Sequence, residues 1–433
     1  MPGKINVFNL GAKGVNVVKS PVHLDDGELT SAQNIQIDAV KSLGGIRKRD
    51  GAVRLNGTVM TGSGKGIINL PLPDRSTYVR RFFVPYDYGA GAVGSNTFWT
   101  STDGSTWTAG TRGVVPQQNN DVSSFGFVSV ATRICVHRNR MYYPGHTAGE
   151  IHAYDGDADT DYKLVTLPRN PRDSTGPIAV MQIIPYSSTF LVISTYDSTS
   201  RGRVFLLNVL NGQLQQLGQE TDMGAVPAVL HVYNGKIYVG QHNVAGGSKP
   251  KLYWVRPGDA TMTEDTGFTA AITTSKGYIH SMVTFLGELY LGVGSDVLSS
   301  SYICKRDKDG AWTTGIDTND GNGANNYVKP LIVSQDGLTM YVYRNSVSGG
   351  ASPIYRIRTT TDGAAYSAGY NAGDVVNGSA AIPWIDTNGD IYFVLYTQSG
   401  GNGNIVKLSG GSYSVVKATS ALSSSIVALS MPS

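Results

Sequence analysis

Cysteine is nearly missing from this 433-residue chain, which holds Cys135 and Cys304 and no others. Two thiols so far apart do not make a disulfide framework, and buried free thiols are the plainer reading. Charge is scarce as well: Asp, Glu, Lys and Arg make up 15% of the residues, against roughly 25% in ordinary globular proteins. The formal net charge of +3 is too small to demand a nucleic-acid or membrane partner. No apolar run reaches the roughly 18 residues of a membrane-spanning helix. At the amino terminus no basic segment leads into an apolar core as in a secretory signal. The expectation is a soluble protein made in a reducing cytoplasm, with no membrane insertion.

Signatures of catalysis and metal binding are missing too. The seven histidines include no His-x-x-x-His pair or other metal spacing, and no Gly-x-Ser-x-Gly elbow offers a nucleophile. Gly64-Lys65 lacks the upstream glycine of a phosphate-binding loop, and Gly66 stands where a magnesium-holding hydroxyl belongs. Asp155, Asp157, Asp159 and Asp161 set carboxylates at alternate positions, the one cluster able to wrap a calcium ion. Thr160 and Thr166, however, stand where an EF-hand needs its turn glycine and its bidentate glutamate, so a solvated polar loop is the better reading. Ser101-Thr102-Asp103-Gly104-Ser105-Thr106-Trp107 resembles the Asp-box of sialidase-like folds, shortened by one residue, which is a structural turn in those folds. No arginine and carboxylate set for glycoside cleavage accompanies it. The expectations are no enzymatic activity, no cofactor and no metal.

What the chain has in abundance is glycine, 53 residues, and tyrosine, 24 residues. A short strand phrase recurs as Ile237-Tyr238-Val239, Leu289-Tyr290-Leu291, Met340-Tyr341-Val342 and Ile391-Tyr392-Phe393, its tyrosines 52, 51 and 51 residues apart. A constant period in that range marks a fold built by repeating one supersecondary unit. Ahead of each phrase stands a turn: Asn234-Gly235, Leu286-Gly287, Asp336-Gly337 or Asn388-Gly389. Another strand begins after it, at Leu252, Tyr302, Ile354 and Asn404. Earlier counterparts are Met141-Tyr142-Tyr143 with Ile151-His152-Ala153, and Phe190-Leu191-Val192 with Val204-Phe205-Leu206. Asp309-Gly310-Ala311-Trp312 and Asp362-Gly363-Ala364-Ala365-Tyr366 are tight turns, each expected to set an aromatic at the start of an outer strand.

With a first, irregular unit from Tyr78 to Trp107, these make an all-β fold. The expected architecture is a seven-bladed β-propeller over residues 61–433, though six or eight blades also fit the count. Ser425 to Leu429 is long enough to be a strand that completes the first blade and closes the ring. Tyr142, Tyr238, Tyr290, Tyr341 and Tyr392 are expected in the core between blades rather than in a binding stripe.

Residues 1–60 do not share the repeat, and glycine and proline punctuate them as in an extended arm. A helical turn from Leu29 to Asn34 is the exception. In order, the arm reads Asn9-Leu10-Gly11-Ala12-Lys13-Gly14-Val15-Asn16, Ser20-Pro21, Gly27-Glu28-Leu29, Gln33-Asn34 and Arg47-Lys48-Arg49-Asp50-Gly51. That order resembles the front of virion structural proteins of tailed bacteriophages, including the tail nozzle or tail tubular proteins of short-tailed phages, which carry a β-propeller.

The resemblance implies a virion tail protein assembled in the host cytoplasm, a nozzle, tail-tube or connector-associated ring component. Its partners would be other tail or connector proteins and further copies of itself in a cyclic homo-oligomer. Asn16, Ser20, Pro21, Gly27, Glu28, Leu29, Asn34, Arg47 and Arg49 would then form a subunit-interface arm. Arg47-Lys48-Arg49 and Arg80-Arg81 either touch viral DNA without sequence preference or pair with a neighbouring subunit's acidic step, Asp25-Asp26-Gly27-Glu28. A channel that must release DNA gains little from sticky walls, which favours the ion pairs. The alternative function is a receptor- or glycan-binding propeller at the tail tip, with Trp99, Trp107 and Tyr302 as its aromatics.

Overall fold

Short alternating apolar and polar runs between glycine-bearing turns make this a chain of strands, with one short helix among the described residues. The computed structural model describes residues 14–15, 28–29, 35–38, 45–48, 67–73, 78–84, 99–101, 108–109, 135–138, 140–145, 149–155, 160–169, 179–197 and 202–218. It continues with 226–242, 249–272, 278–294, 302–316, 326–334, 336–346, 354–367, 370–371, 384–385, 391–396, 403–409, 412–418 and 429–430.

Two compact units divide the chain, residues 1–54 with 386–390 and residues 55–385 with 391–433. In the first, β1 (Gly14–Val15) pairs in parallel with β2 (Glu28–Leu29), and β3 (Ile35–Asp38) pairs antiparallel with β4 (Gly45–Lys48). Glu28, Leu29 and Arg47 lie in these strands, so the helical turn expected from Leu29 starts on a strand residue. Asn16, Ser20, Pro21, Gly27, Asn34 and Arg49 lie outside the described residues.

The second unit repeats one plan, antiparallel strands hydrogen-bonded in chain order. Its first sheet takes β5 (Ile67–Pro73), β6 (Tyr78–Val84), β7 (Trp99–Ser101) and β8 (Thr108–Ala109). Next come β9 (Cys135–His137), β10 (Arg140–Pro144), β11 (Glu150–Asp155) and β12 (Thr160–Thr166). They are followed by β13 (Ala179–Pro185), β14 (Phe190–Tyr196), β15 (Val204–Asn208) and β16 (Leu214–Leu217). Then stand β17 (Val226–Tyr233), β18 (Lys236–His242), β19 (Leu252–Val255) and β20 (Thr263–Glu264), with helix α1 (Thr266–Ala271) after them.

The plan continues with β21 (Tyr278–Phe285), β22 (Glu288–Gly294), β23 (Tyr302–Arg306) and β24 (Trp312–Ile316). One pair, His242 with Tyr278, joins β18 to β21. After these come β25 (Asn326–Val333), β26 (Met340–Ser346), β27 (Ile354–Thr360) and β28 (Tyr370–Asn371). The last set is β29 (Trp384–Ile385), β30 (Ile391–Tyr396), β31 (Gly403–Ser409) and β32 (Ser412–Ala418). Finally β33 (Leu429–Ser430) runs parallel to β5, Leu429 beside Ile67.

Period-two alternation decides which side chains meet. In β18, Ile237 and Val239 join a cluster with Val192, Val204 and Leu206 of the preceding sheet, while Tyr238 faces Ile279, Leu289 and Leu291 of the following one. The same holds in β22, where Leu289 and Leu291 face back and Tyr290 faces forward onto Leu331 and Met340. Tyr142 likewise joins Val180, Leu191 and Phe205 of the sheet after its own. The repeated tyrosine is therefore the forward-facing residue of the second strand. It is 1% exposed at Tyr142 and Tyr238 and 0% at Tyr290. Tyr341 is half-buried, and the Tyr392 side chain lies outside the described residues.

Polar ties cross between the same sheets. Gln182 accepts the Leu230 N–H at 2.6 Å, His231 Nε2 and Thr284 Oγ1 are 2.8 Å apart, and the Tyr233 hydroxyl donates to the Gly287 carbonyl at 2.8 Å. A buried ion pair joins Arg203 Nε to Asp197 at 2.5 Å, its side chains 1% and 0% exposed. Arg203 also donates to the Pro168 and Arg169 carbonyls beyond β12, so this one guanidinium ties the end of one sheet to the next. Cys135 and Cys304 are free and buried.

The turns account for the glycines that matter. Asn234 and Gly235 have φ of 48° and 70°, and Leu286 and Gly287 51° and 78°, the left-handed pair that a two-residue hairpin between right-twisting strands demands. At the Asp362-Gly363 turn, Asp362 Oδ1 accepts from Thr360, Ala364 and Ala365, and a Cβ on Gly363 would overlap the Tyr290 hydroxyl. Trp312 opens β24 as expected, but Tyr366 does not open its strand. Arg358 takes the carbonyls of Tyr366 and Ser367, and β28 starts only at Tyr370.

Candidate functional site

The repeat makes it straightforward to ask which polar groups the scaffold needs. In five of the sheets, three described positions share the turn end: the residue entering the second strand, the residue opposite the phrase position, and the residue two further on. In chain order they are Arg140, Ala153 and Asp155; Thr189, Leu207 and Val209; Lys236, Trp254 and Arg256; Glu288, Lys305 and Asp307; Thr339, Thr359 and Thr361. Where charges occur they are paired in two of the sheets, Arg140 with Asp155 at 2.9 Å and Lys305 with Glu288 at 3.1 Å. The Lys236, Trp254 and Arg256 set instead puts two cations about an indole.

Lys236 Nζ lies 3.7 Å and Arg256 Cζ 5.6 Å from the Trp254 ring centroid. Cation–π attraction is worth roughly 0.5–1 kcal/mol at such half-exposed sites, which offsets part of the repulsion between the two. A third cation comes from the following sheet: Arg306 Nε is 3.6 Å from Asp265 Oδ2. Asp265 is the N-cap of α1, and its Oδ1 accepts from the Phe268 N–H and the Trp312 indole, both at 3.0 Å. That carboxylate is already committed. Among the described residues no carboxylate pairs with Lys236 or Arg256. Burial, then Arg256 and Arg306, bring the Lys236 ammonium below its ordinary range against the pull of Asp265.

A second charged cluster stands on β10 to β12 and is balanced. His152 Nδ1 is 3.3 Å from Asp161 and its Nε2 3.4 Å from Glu150. Lys163 pairs with Glu150 at 3.1 Å, and the buried Tyr143 hydroxyl donates to Asp161. The bond to Asp161 holds the imidazolium above its ordinary range against the effect of burial, with Glu150 adding to it. Burial, then Asp161, push the Tyr143 phenol up.

Asp155, Asp157, Asp159 and Asp161, read from the sequence as a solvated polar loop and a weak calcium candidate, are not all in a loop. Asp155 closes the β11–β12 hairpin opposite Thr160, with Arg140 on its carboxylate, and Asp161 sits within β12. Both point into strand-borne pairs rather than a loop; Asp157 and Asp159 lie outside the described residues. Of the aromatics that the alternative glycan-binding reading would use, Tyr302 is 3% exposed in the core, so it has no face to offer. Trp99 is in β7 with its side chain outside the described residues, as is all of Trp107. The sequence reading missed Lys236, Trp254, Arg256 and Arg306. The readable signal was the register: aligning the phrases would have shown one set of like charges beside sets of opposite or no charge.

No family model matches the chain, and no curated protein sequence does. Solved structures do match. A puromycin hydrolase complexed with PGG aligns over 83% of this chain and 54% of its own, at 10% identity and a TM-score of 0.53. A structure of prolyl endopeptidases aligns over 83% and 50%, at 12% and 0.49. An oligogalacturonate lyase in complex with manganese aligns over 79% and 97%, at 9% and 0.46. This chain thus spans about half the length of the endopeptidase and the hydrolase.

These neighbours are β-propeller enzymes. The likeness shows the fold alone, an all-β arrangement of antiparallel four-stranded sheets. It nonetheless overturns the exclusion of enzymatic activity made from the sequence, because the puromycin hydrolase that shares this fold is an enzyme. A fold of repeated sheets can gather reactive groups from loops far apart in sequence, and such a set leaves no local motif to find. No helix among the described residues is long and apolar enough to cross a membrane.

Proposed function

We propose that this chain is a structural protein of a tailed-phage virion, a propeller of the nozzle, tail tube or connector-associated ring. The observation that carries the reading is the ordered series from Asn9 to Gly51 ahead of a chain that otherwise repeats one four-stranded plan. The grouping of residues 1–54, with 386–390, as a unit of its own supports a docking segment at the front. In this reading the propeller has seven blades in a closed ring, and the two-residue parallel pairing of β33 with β5 is what supports the closure. Arms and rims copy one interface around the tail axis, other tail or connector proteins are the partners, and assembly takes place in the host cytoplasm.

Removal of residues 1–54 tests the reading. In host cells infected with a phage lacking the gene, the full chain restores particles, and the shortened chain is expected to fold, by circular dichroism and melting, yet to stay out of purified virions. Normal incorporation of the shortened chain would sink the proposal.

A further inference from the structure

We infer that the surface formed by Lys236, Trp254, Arg256 and Arg306 binds an acidic saccharide, a pyranose unit that carries a carboxylate. The inference goes beyond the assembly role and does not depend on the front segment. The first ground is the comparison among sheets. The same positions hold the pair Arg140–Asp155 at 2.9 Å in one sheet and Glu288–Lys305 at 3.1 Å in another, and threonines in a third. The scaffold is therefore content with opposite charges or none, and a cation cluster there is not a requirement of the fold. Lys236 and Arg256, held together with no described carboxylate paired to either, raise the energy of the free protein, and a bound anion relieves it.

The second ground is composition. Trp254 is partly buried against the core, and Lys236 and Arg256 lie 3.7 and 5.6 Å from its ring centroid, so the indole holds the two cations side by side to meet a carboxylate, and its remaining exposed area is apolar surface beside them for a sugar ring. The third is scale. A nucleic acid is held by many phosphate contacts along a basic track. Here four cations outside the cluster are paired with carboxylates: Lys251 with Glu264, Lys305 with Glu288, Lys163 with Glu150 and Arg140 with Asp155. An extended polyphosphate would meet these carboxylates too, whereas one sugar-sized anion can sit on Lys236 and Arg256, which no described carboxylate pairs with, while Asp265 holds Arg306 and Asp259 takes the Arg256 backbone N–H.

The test is calorimetric titration of the full chain with a short oligomannuronate, beside neutral oligomannose, polyglutamate and a single-stranded oligodeoxynucleotide. The expected result is saturable binding of the oligomannuronate, weakened by salt, with none for oligomannose. Lys236→Glu gives the cluster an internal partner, so it should melt at or above the wild-type temperature while losing the binding. Arg256→Ala, at an exposed position, should weaken binding roughly tenfold, the usual effect of one charged hydrogen bond. Absence of saturable oligomannuronate binding, or wild-type affinity in Lys236→Glu, overturns the inference. So does polyglutamate or oligonucleotide binding that is tighter and equally sensitive to Lys236→Glu, since the site then serves another polyanion.

Discussion

The β17–β20 and β21–β24 sheets are neighbours built on the same register, and they treat the same positions in opposite ways. In the second, Glu288 enters its strand and closes an ion pair with Lys305; in the first, Lys236 enters and meets Trp254 and Arg256. Their turns differ too: Asn234 holds φ 48° in one and Leu286 holds φ 51° in the other. Asparagine tolerates that left-handed backbone, whereas a branched apolar side chain is strained there. Each sheet is thus unstrained where the other is strained. Repetition fixes backbone and core, and leaves the turn end free to vary in charge.

The largest expected effect marks what such a charge cluster costs when it is structural. Asp197→Ala leaves Arg203 buried without its carboxylate and should cost about 3–5 kcal/mol, read by denaturant unfolding. No change at the Lys236 cluster should approach it. If Lys236→Met proved as damaging as Asp197→Ala, the contrast between structural and spare charges would break.

Acid separates the paired clusters next. Burial holds His231 down at about 4, below the unfolded value of roughly 6.5. Its stability contribution is present above the unfolded pKa and is lost as pH falls toward 4, on the order of 3 kcal/mol in all. His152 has the opposite sign: its pKa is raised, so its contribution is full below the unfolded pKa and fades as pH rises through the folded one. Unfolding measured between pH 4 and 8 should therefore lose its acid-side decline in His231→Gln and steepen that decline in His152→Gln. Parallel curves for both variants would contradict the assignments.

Smaller effects sharpen the comparison directly. Glu288→Lys makes the second sheet imitate the first and should cost about 1 kcal/mol, the scale of a partly exposed pair, with no gain in melting temperature at any salt. Leu286→Asn imitates the neighbouring turn and should stabilise by about 1 kcal/mol through relief of the left-handed strain. A destabilising Leu286→Asn would mean that the leucine holds a contact the free chain does not reveal.

Much of the fold was legible because burial follows the period of the strand. The phrases around Tyr142, Tyr238, Tyr290, Tyr341 and Tyr392 fall in β10, β18, β22, β26 and β30, and Tyr78 to Val84 is β6. The turn chemistry at Asn234-Gly235 and Leu286-Gly287 was readable for the same reason. Helix α1 was not, since six residues, Thr266 to Ala271, with Gly267 among them carry too little periodicity, although Asp265 is a cap residue by type. The charged surface was less legible still. Lys236 and Arg306 are 70 residues apart, and what distinguishes Lys236 and Arg256 is that no described carboxylate pairs with either, which no local pattern encodes. The exclusion of catalysis failed by the same logic: local motifs report local chemistry, and this fold joins distant loops.

The central claim, a virion propeller docked through its front segment, is met most directly by imaging intact particles at a resolution that resolves strands. The expected result is a ring of these propellers about the tail axis, with residues 1–54 of each copy against an adjacent tail or connector protein. Particles whose tails contain no density for this chain would contradict it.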